Sequence, residues 1–280
     1  MPSRCWPGQP STSAPSCCSA FNCPETNGPT PCVSSPSPTA STPAIAWWWP
    51  PTDEYYRRPT LPLAPWLDAP HVVAGRDGLA GGTWLGLTRQ GGFAALTNYR
   101  EPVGERRDRP SRGHLVADFL IHRSGARDYI AHIAQRGEEY NGFNLLVGDA
   151  TGLFYYGNRA GPPQTLSPGL YALSNGCLDT PWPKVEWARQ GLARCLNAAR
   201  VEPSALFALL AERRRPPDDQ LPHTGVGLDR ERILSAIYIE DALESPQYGT
   251  RSSTAVVMDH TGRALVMEKP RRGTARAYVW

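Results

Sequence analysis

The 280-residue chain lacks any apolar run that approaches the roughly 18 residues needed to span a membrane. Its first 52 residues also lack charge, apart from Arg4 and Glu25, and lack the basic and then apolar segments of a secretory signal. This segment is rich in proline, serine and threonine, and it holds five of the seven cysteines. We therefore expect residues 1–52 to form a disordered leader, because they offer too little apolar surface to build a core.

A large excess of charge is also missing, since the formal net charge of +3 is too small to indicate nucleic-acid binding. Beyond the leader only Cys177 and Cys195 remain, which is too few for a disulfide framework and typical of a reducing compartment such as the cytoplasm. The six histidines show no metal-ligand spacing with one another or with cysteine. We therefore predict no metal site and no bound cofactor.

Residues 53–280 show the mixture of strand-like and helix-like segments that is typical of a folded domain. Pairs of apolar runs around short turns predict three hairpins: 83–88 with 93–97, 144–147 with 153–156, and 254–258 with 264–267. Helical patterns begin near 111, 127, 184 and 204. Tight turns join antiparallel neighbours and the helices must cover the sheets, so we predict a layered α+β domain rather than a doubly wound parallel sheet.

A glycine-bearing segment precedes the first predicted hairpin and is a candidate for ligand binding. Its glycines would let the backbone approach a ligand closely, and Arg76 has a guanidinium that can hold a carboxylate through two hydrogen bonds. The same spacing equally fits an ordinary turn with a local pair between Arg76 and Asp77. The candidate binding residues are Arg76, Asp77, Gly81, Gly82, Thr83 and Trp84.

Polar side chains also stand at the ends of predicted strands. Asn98 and Asn175 each carry amide N–H groups that can stabilise a developing oxyanion, although asparagine is also a common turn former. Arg251, among hydroxyl residues, can bind a carboxylate or polarise a nucleophile, or can belong to a capped loop. A convincing nucleophile is missing, because Cys177 has no base nearby in sequence and Cys195 lies on the apolar side of a helix.

Seven ordered motifs carry a resemblance to a known family: GRDGLAGGTWLGLT, ALTNYR, SRGHLVADFL, YNGFNLLVGD, LSNGCLDTPWPKV, LPHTGV and YGTRSSTAVV. They resemble the NRDE proteins, the Transport and Golgi organisation family, from Asp53 to about Lys269. Members of that family begin Met-Cys and reach an Ala-Asn-Arg-Asp-Glu segment followed by an aromatic residue, Arg-Pro and Thr. Residues 53–60, DEYYRRPT, keep the second half of that segment, whereas Pro51 and Thr52 stand where its Asn-Arg half is expected.

An exposed first cysteine makes that family similar to the N-terminal-nucleophile hydrolases, whose fold is a four-layer αββα sandwich of antiparallel sheets. The resemblance implies that the terminal amine serves as base for the adjacent thiol. By motif order, Asp53 matches the residue that positions the amine, and Asn98 and Asn175 match the oxyanion donors. Arg251 matches a late arginine that tunes the thiolate. This likeness of fold and motif order implies a reaction class and no particular substrate.

The family pattern breaks at residues 49–53, and the genetic code suggests a reason. The run WWWP at 47–50 must be encoded TGGTGGTGGCCN, and a shifted reading of those bases gives Val-Val-Ala. The same shift carried upstream permits MCLIAFAYRVHPGYRLVVAAN, which is the expected family opening. We hypothesise that residues 1–52 are a frameshifted leader before a domain at 53–280. The first strand would then be missing or disrupted, with its neighbour's edge exposed. A genuine disordered extension is the alternative.

The resemblance leaves two functions open. The first is an amide or thioester hydrolase with an N-terminal cysteine. This chain lacks that cysteine, so we expect it to be inactive as an enzyme. The second is a non-catalytic binding or trafficking protein, implied by the family's association with haem and lipid handling. The expected partner is a small-molecule amide, acyl-CoA, lipid or haem ligand. The sequence does not indicate the oligomeric state.

Overall fold

The computed structural model describes residues 45–48, 52–102, 104–122, 124–198, 200–240, 247–259 and 262–279, with only the backbone course given for 45–48. Most of the leader lies outside these ranges, including residues 49–51, where the family pattern breaks. The frameshift hypothesis therefore stays a prediction. Within the described part of the chain, no helix has the length and apolar character needed to cross a membrane.

The described residues form twelve strands and five α-helices. The strands are β1 (Ile45–Trp48), β2 (Thr52–Tyr55), β3 (Thr60–Pro65), β4 (Val72–Asp77), β5 (Leu85–Thr88), β6 (Phe93–Asn98), β7 (Phe143–Asp149), β8 (Gly152–Gly157), β9 (Gln164–Leu166), β10 (Tyr248–Met258), β11 (Ala264–Pro270) and β12 (Arg276–Val279). The helices are α1 (Gly113–His122), α2 (Ala126–Arg136), α3 (Pro183–Leu196), α4 (Pro203–Leu210) and α5 (Leu228–Leu234).

The strands build two antiparallel sheets. Seven strands, β3 to β9, pair in simple chain order in the larger sheet. In the smaller sheet β12, β11 and β10 are neighbours, and β1 and β2 both pair with the remaining edge of β10. The three predicted hairpins are present as β5–β6, β7–β8 and β10–β11, because each joins consecutive strands through a short turn.

β1 and β2 lie along β10 in one register. Ile45 pairs with Met258 and Asp53 pairs with Thr250, so the pairing moves eight residues along both strands between these points. An irregularity lies between Thr250 and Ser252. The expectation that the edge of β10 would be exposed is therefore wrong. Backbone pairing needs no particular side chains, so the present sequence can occupy that edge. Two strand segments, β1 and β2, occupy the place of the strand that we expected to be missing or disrupted, and residues 49–51 between them lie outside the described ranges.

Three apolar cores separate four layers. The first lies between the helix pair α1–α2 and the larger sheet, where Leu115 and Ile130 pack with Leu145. A second lies between the two sheets and a third between the smaller sheet and the helix pair α3–α4. The order is therefore helices, sheet, sheet, helices, which confirms the four-layer αββα sandwich of antiparallel sheets.

The alternation of side chains along the strands explains why each sheet is covered on both faces. In β10, Val256 faces the core between the sheets, whereas its neighbour Ala255 belongs to the core beneath α3 and α4. In β7, Leu146 faces the inter-sheet core and Leu145 faces α1 and α2. Because successive side chains point to opposite faces, a continuously apolar strand must be buried on both sides.

Candidate functional site

A cavity of about 980 Å³ is lined by residues of both sheets, of α3 and of the loop at 104–112. Six of the ten sequence-predicted site residues line it: Asp53, Asp77, Thr83, Trp84, Asn98 and Asn175. They come from β2, β4, β6 and the segments before β5 and α3, so tertiary folding brings them to one cavity. The other four predicted residues, Arg76, Gly81, Gly82 and Arg251, do not line this cavity.

Asp53 lies on β2 and is held by the neighbouring strand. The Thr250 hydroxyl donates to Asp53 Oδ1 at 2.6 Å, and the same Oγ1 atom accepts the Ile239 backbone N–H at 2.9 Å. Burial raises the pKa of Asp53 to about 6, against the opposing effects of the Thr250 hydrogen bond and of the positive charges on Lys184 and Arg100. The carboxyl group can therefore change protonation state close to neutral pH.

Asn98 and Asn175 lie side by side because the end of β6 pairs with the segment that holds Asn175. Arg100 donates its backbone N–H to the Asn175 carbonyl at 2.7 Å, and Asn175 Nδ2 donates to the Asn98 carbonyl at 3.0 Å. A further bond runs from the Thr97 hydroxyl to the Ser174 carbonyl at 2.7 Å. The Asn98 side chain is exposed and Asn175 Nδ2 retains a second N–H, so the residues that line the cavity include unused amide donors.

Buried Asn144 supports the segments that carry Asn98 and Asn175. Its place within a predicted strand did not indicate a functional role. Its Nδ2 donates to Thr97 Oγ1 at 3.1 Å and to the Gly176 carbonyl at 2.8 Å. The Tyr155 hydroxyl donates to Asn144 Oδ1 at 2.7 Å. All polar atoms of the Asn144 side chain are thus engaged, which fixes the strand end beside the cavity.

A buried ion pair lies behind the cavity wall. Arg100 Nη1 and Glu231 Oε2 are 2.6 Å apart, with side-chain exposures of 6% and 4%. The other Glu231 oxygen accepts the backbone N–H and the hydroxyl of Thr224 at 2.8 and 2.5 Å. Arg100 also lies over the Trp182 ring at 4.8 Å. Burial lowers the pKa of Arg100, whereas Glu231 opposes that shift.

Lys184 lines the cavity from the first turn of α3, and sequence reasoning missed it because nothing in a helix-start lysine signals burial. The residue is 8% exposed, and its ammonium donates to the Leu234 carbonyl at 2.9 Å. Burial, followed by the positive charge of Arg100, lowers the pKa of Lys184 to about 7, while Asp53 and Glu231 oppose the shift. The cavity therefore holds an acid and an amine that both titrate near neutrality.

Arg251 lies outside this cavity and lines a neighbouring one. Its Nη1 donates to the carbonyls of Tyr55, Tyr56 and Arg58 at 3.1, 2.9 and 2.7 Å. It lines a second cavity of about 490 Å³, which shares Thr52, Thr60 and Trp84 with the first. The guanidinium thus fixes the turn that follows β2, the strand of Asp53.

The predicted binding segment contains two ion pairs, neither of which joins Arg76 to Asp77. Arg76 makes two bonds to Asp68 at 2.7 and 2.8 Å and lies over the Trp66 ring at 4.3 Å. Asp77 accepts from Arg58 at 2.6 Å, which contributes to the lowered pKa of Asp77. Arg76 is therefore committed to a carboxylate of the protein itself.

The close backbone approach at Gly82 is to the start of α1. A β-carbon at Gly82 would lie 2.5 Å from the Gly113 carbonyl carbon. We expect Gly82→Ala to lower the free energy of unfolding by about 1–3 kcal/mol, because rigid backbone atoms must move apart. Gly104→Ala is the matched control, since nothing lies within 4 Å of a β-carbon there. Urea unfolding of both variants checks this, and equal losses would contradict it.

The described residues include two cysteines outside any disulfide, Cys177 and Cys195, and neither lines the cavity. Cys195 packs against the core beneath α3 and α4, where burial raises its thiol pKa. In the described ranges, no cluster of three or more histidine, cysteine, aspartate or glutamate residues is arranged to hold a metal ion.

Comparisons with known proteins match the chain over most of its length. The profile of the Transport and Golgi organisation 2 family matches residues 52–272. The Transport and Golgi organization protein 2 homolog of Bos taurus is 36% identical over 235 residues, covering 79% of this chain and 85% of that protein. The Homo sapiens homolog is 34% identical over 230 residues, with coverages of 78% and 83%.

A search of solved structures finds penicillin V acylase from Agrobacterium tumefaciens, with a TM-score of 0.36 and 12% sequence identity. The alignment covers 84% of this chain and 77% of that chain. The range matched by the family profile includes the cavity-lining strands, the paired asparagines and the β10 strand beside Asp53. This chain belongs to the Transport and Golgi organisation 2 family.

Proposed function

We propose that the larger cavity is the active site of an amide or thioester hydrolase of the N-terminal-nucleophile type. The observation that carries the proposal is that Asp53, Asn98 and Asn175 line the same cavity. Asp53 would position the terminal amine, and the two asparagines would donate hydrogen bonds to the oxyanion of the tetrahedral intermediate. Arg251 would act indirectly by fixing the turn after β2.

The nucleophile of this reaction is a cysteine that the given sequence lacks at the required place. We propose that the intact protein begins Met-Cys through the shifted reading MCLIAFAYRVHPGYRLVVAAN, followed by Arg and Asp53. Once the initiator Met is removed, the α-amine of the cysteine would take the proton of its own thiol, and the thiolate would attack the carbonyl carbon of the substrate. The leaving amine or thiol would then depart with that proton, and water would hydrolyse the acyl-enzyme.

A thiol-reactive probe tests this proposal on a chain in which residues 1–52 are replaced by MCLIAFAYRVHPGYRLVVAAN and Arg. We call this protein the repaired chain. We expect stoichiometric labelling of the new first cysteine, its loss in the Cys→Ala variant, and turnover of a thioester substrate. Asn175→Ala should lower kcat by about 100-fold or more, because one oxyanion donor is removed. Labelling confined to Cys177 and Cys195 would contradict the hydrolase. The nucleotide sequence between the codons of Pro31 and Asp53 tests the frameshift independently.

A non-catalytic carrier of haem, acyl-CoA or lipid is the second candidate, and the size of the cavity favours it. A volume of about 980 Å³ lies near the upper end of the range for small-molecule sites, about 300–1,000 Å³. Ligand binding that is unchanged in the Cys→Ala variant, without turnover in the repaired chain, would favour this function. The two cysteines at 177 and 195 form no disulfide, which supports our proposal of a cytoplasmic, reducing location.

A further inference from the structure

Lys184 is a buried cation without a close anionic partner in the described part of the chain. No carboxylate of the described residues lies within 4.0 Å of its ammonium, which is 2.9 Å from the Leu234 carbonyl. An ammonium has three N–H donors, and only this one finds an acceptor among those residues. Buried charges are ordinarily paired, so the two remaining donors indicate a place for an external acceptor.

The charged groups that face Lys184 do not meet this need. Asp53 on β2 and Glu231 on α5 favour its charged form, whereas Arg100 after β6 disfavours it. The Asp53 carboxylate accepts from Thr250, and that of Glu231 accepts from Arg100 and Thr224. Neither carboxylate lies within 4.0 Å of the ammonium, and the Arg100 guanidinium disfavours its charged form.

The rim of the same cavity is also rich in positive charge. Eight cations line the cavity against four acids, Asp53, Glu54, Asp77 and Glu105. Four of the seven lining arginines make no ion pair with a described carboxylate: Arg57, Arg107, Arg109 and Arg230. Cations that line a cleft concentrate anions at its mouth, so the entrance and the interior favour a ligand of the same sign.

We propose that Lys184 binds a carboxylate of the ligand inside the cavity, which makes the substrate class a negatively charged amide or thioester. This inference rests on the proposed function of the cavity as a ligand site, but it requires no nucleophile. Of the 29 basic residues in the chain, only Lys184 and Lys269 are lysines. A lysine can release its proton while the cavity is empty and regain it beside an anion, which arginine cannot do.

Calorimetry with octanoate and its neutral analogue octanamide tests the proposal on the chain as given. We expect octanoate to bind at least tenfold more tightly than octanamide at pH 6.5. Because Lys184 must be protonated to hold the anion, octanoate affinity should fall about tenfold between pH 6.5 and pH 8. Binding near pH 7.5 should also take up a proton, which the dependence of the heat on the buffer reveals.

Two variants and one control separate a ligand contact from a structural role. Lys184→Met should abolish the preference for octanoate while circular dichroism shows an intact fold. Lys184→Arg should keep the preference but lose most of the pH dependence, and any remainder is assigned to Asp53. Lys269→Met, at an exposed position on β11, should behave like the parent protein.

Three results would overturn the inference: no measurable binding of octanoate, equal affinity for the two probes, or a preference that survives in Lys184→Met. These failures are distinguishable from failure of the hydrolase, because the binding assay uses no cysteine and the labelling assay uses no carboxylate probe. If the repaired chain hydrolyses neutral thioesters and the parent chain shows no preference for octanoate, the hydrolase proposal stands. The proposal that Lys184 binds a ligand carboxylate is then rejected.

Discussion

Replacement of Glu231 by Gln is expected to lower the free energy of unfolding by about 3–5 kcal/mol, because it leaves the Arg100 guanidinium buried without its counter-charge. The two side chains are 6% and 4% exposed and lie 2.6 Å apart, so solvent cannot compensate for the lost carboxylate. The backbone N–H of Thr224 also loses part of a charge-assisted bond. Urea unfolding at pH 7 measures the loss.

The matched control is Glu139→Gln, which removes the carboxylate of a pair with Arg136. Both of its side chains are about half exposed, so we expect a loss far smaller than that of Glu231→Gln. The double variant Arg100→Met with Glu231→Gln should recover part of the stability lost in Glu231→Gln. A loss below about 1 kcal/mol in Glu231→Gln would show that water or a rearranged acceptor neutralises Arg100.

Replacement of Lys184 by Met is expected to stabilise the ligand-free protein at pH 7 by about 2–4 kcal/mol. The folded chain holds this amine at a pKa of about 7, whereas the unfolded chain holds it near the ordinary 10.5. Each unit of difference corresponds to about 1.4 kcal/mol, and lost attraction to Asp53 and Glu231 reduces the gain. A lysine that destabilises the fold is consistent with a functional role.

The sign of the pH dependence gives a sharper check. Because the folded-state pKa is lowered, the unfolded chain binds an extra proton between about pH 7 and pH 10.5. The stability of the parent protein should therefore gain from this group as pH rises through that window. The advantage of Lys184→Met should shrink below about 1 kcal/mol at pH 10, measured by urea unfolding. An advantage that is equal at both pH values would assign it to packing alone.

The helices and hairpins with clear apolar periodicity were predictable from the sequence. The patterns that begin near 111, 127, 184 and 204 correspond to α1, α2, α3 and α4, and the three hairpins follow their alternating runs. Short or proline-containing strands were not, since β9 has three residues and β3 contains Pro62 and Pro65. β3 is an edge strand with an irregular register, where proline is tolerated.

The candidate site divides in the same way. The polar strand ends indicated Asn98 and Asn175, because such groups are visible as local departures from an apolar pattern, whereas Asp53 was predicted from the family resemblance alone. Asn144 and Lys184 carry no such local mark, since burial of a side chain depends on elements far away in sequence. Glu231 meets Arg100 across 131 positions, and its helix α5 has only seven residues.

The sequence by itself determined the family, the antiparallel α+β class and the residue types available for chemistry, because these follow from local pattern and motif order. Only the tertiary structure decided which charges lie inside the cavity and which are paired. The pKa of Lys184 and the hydrogen bonds of Arg251 depend on groups that the fold brings together from β2, β6, α3, α5 and β10. Desolvation and Coulomb interaction act through space, so chain order alone does not specify them.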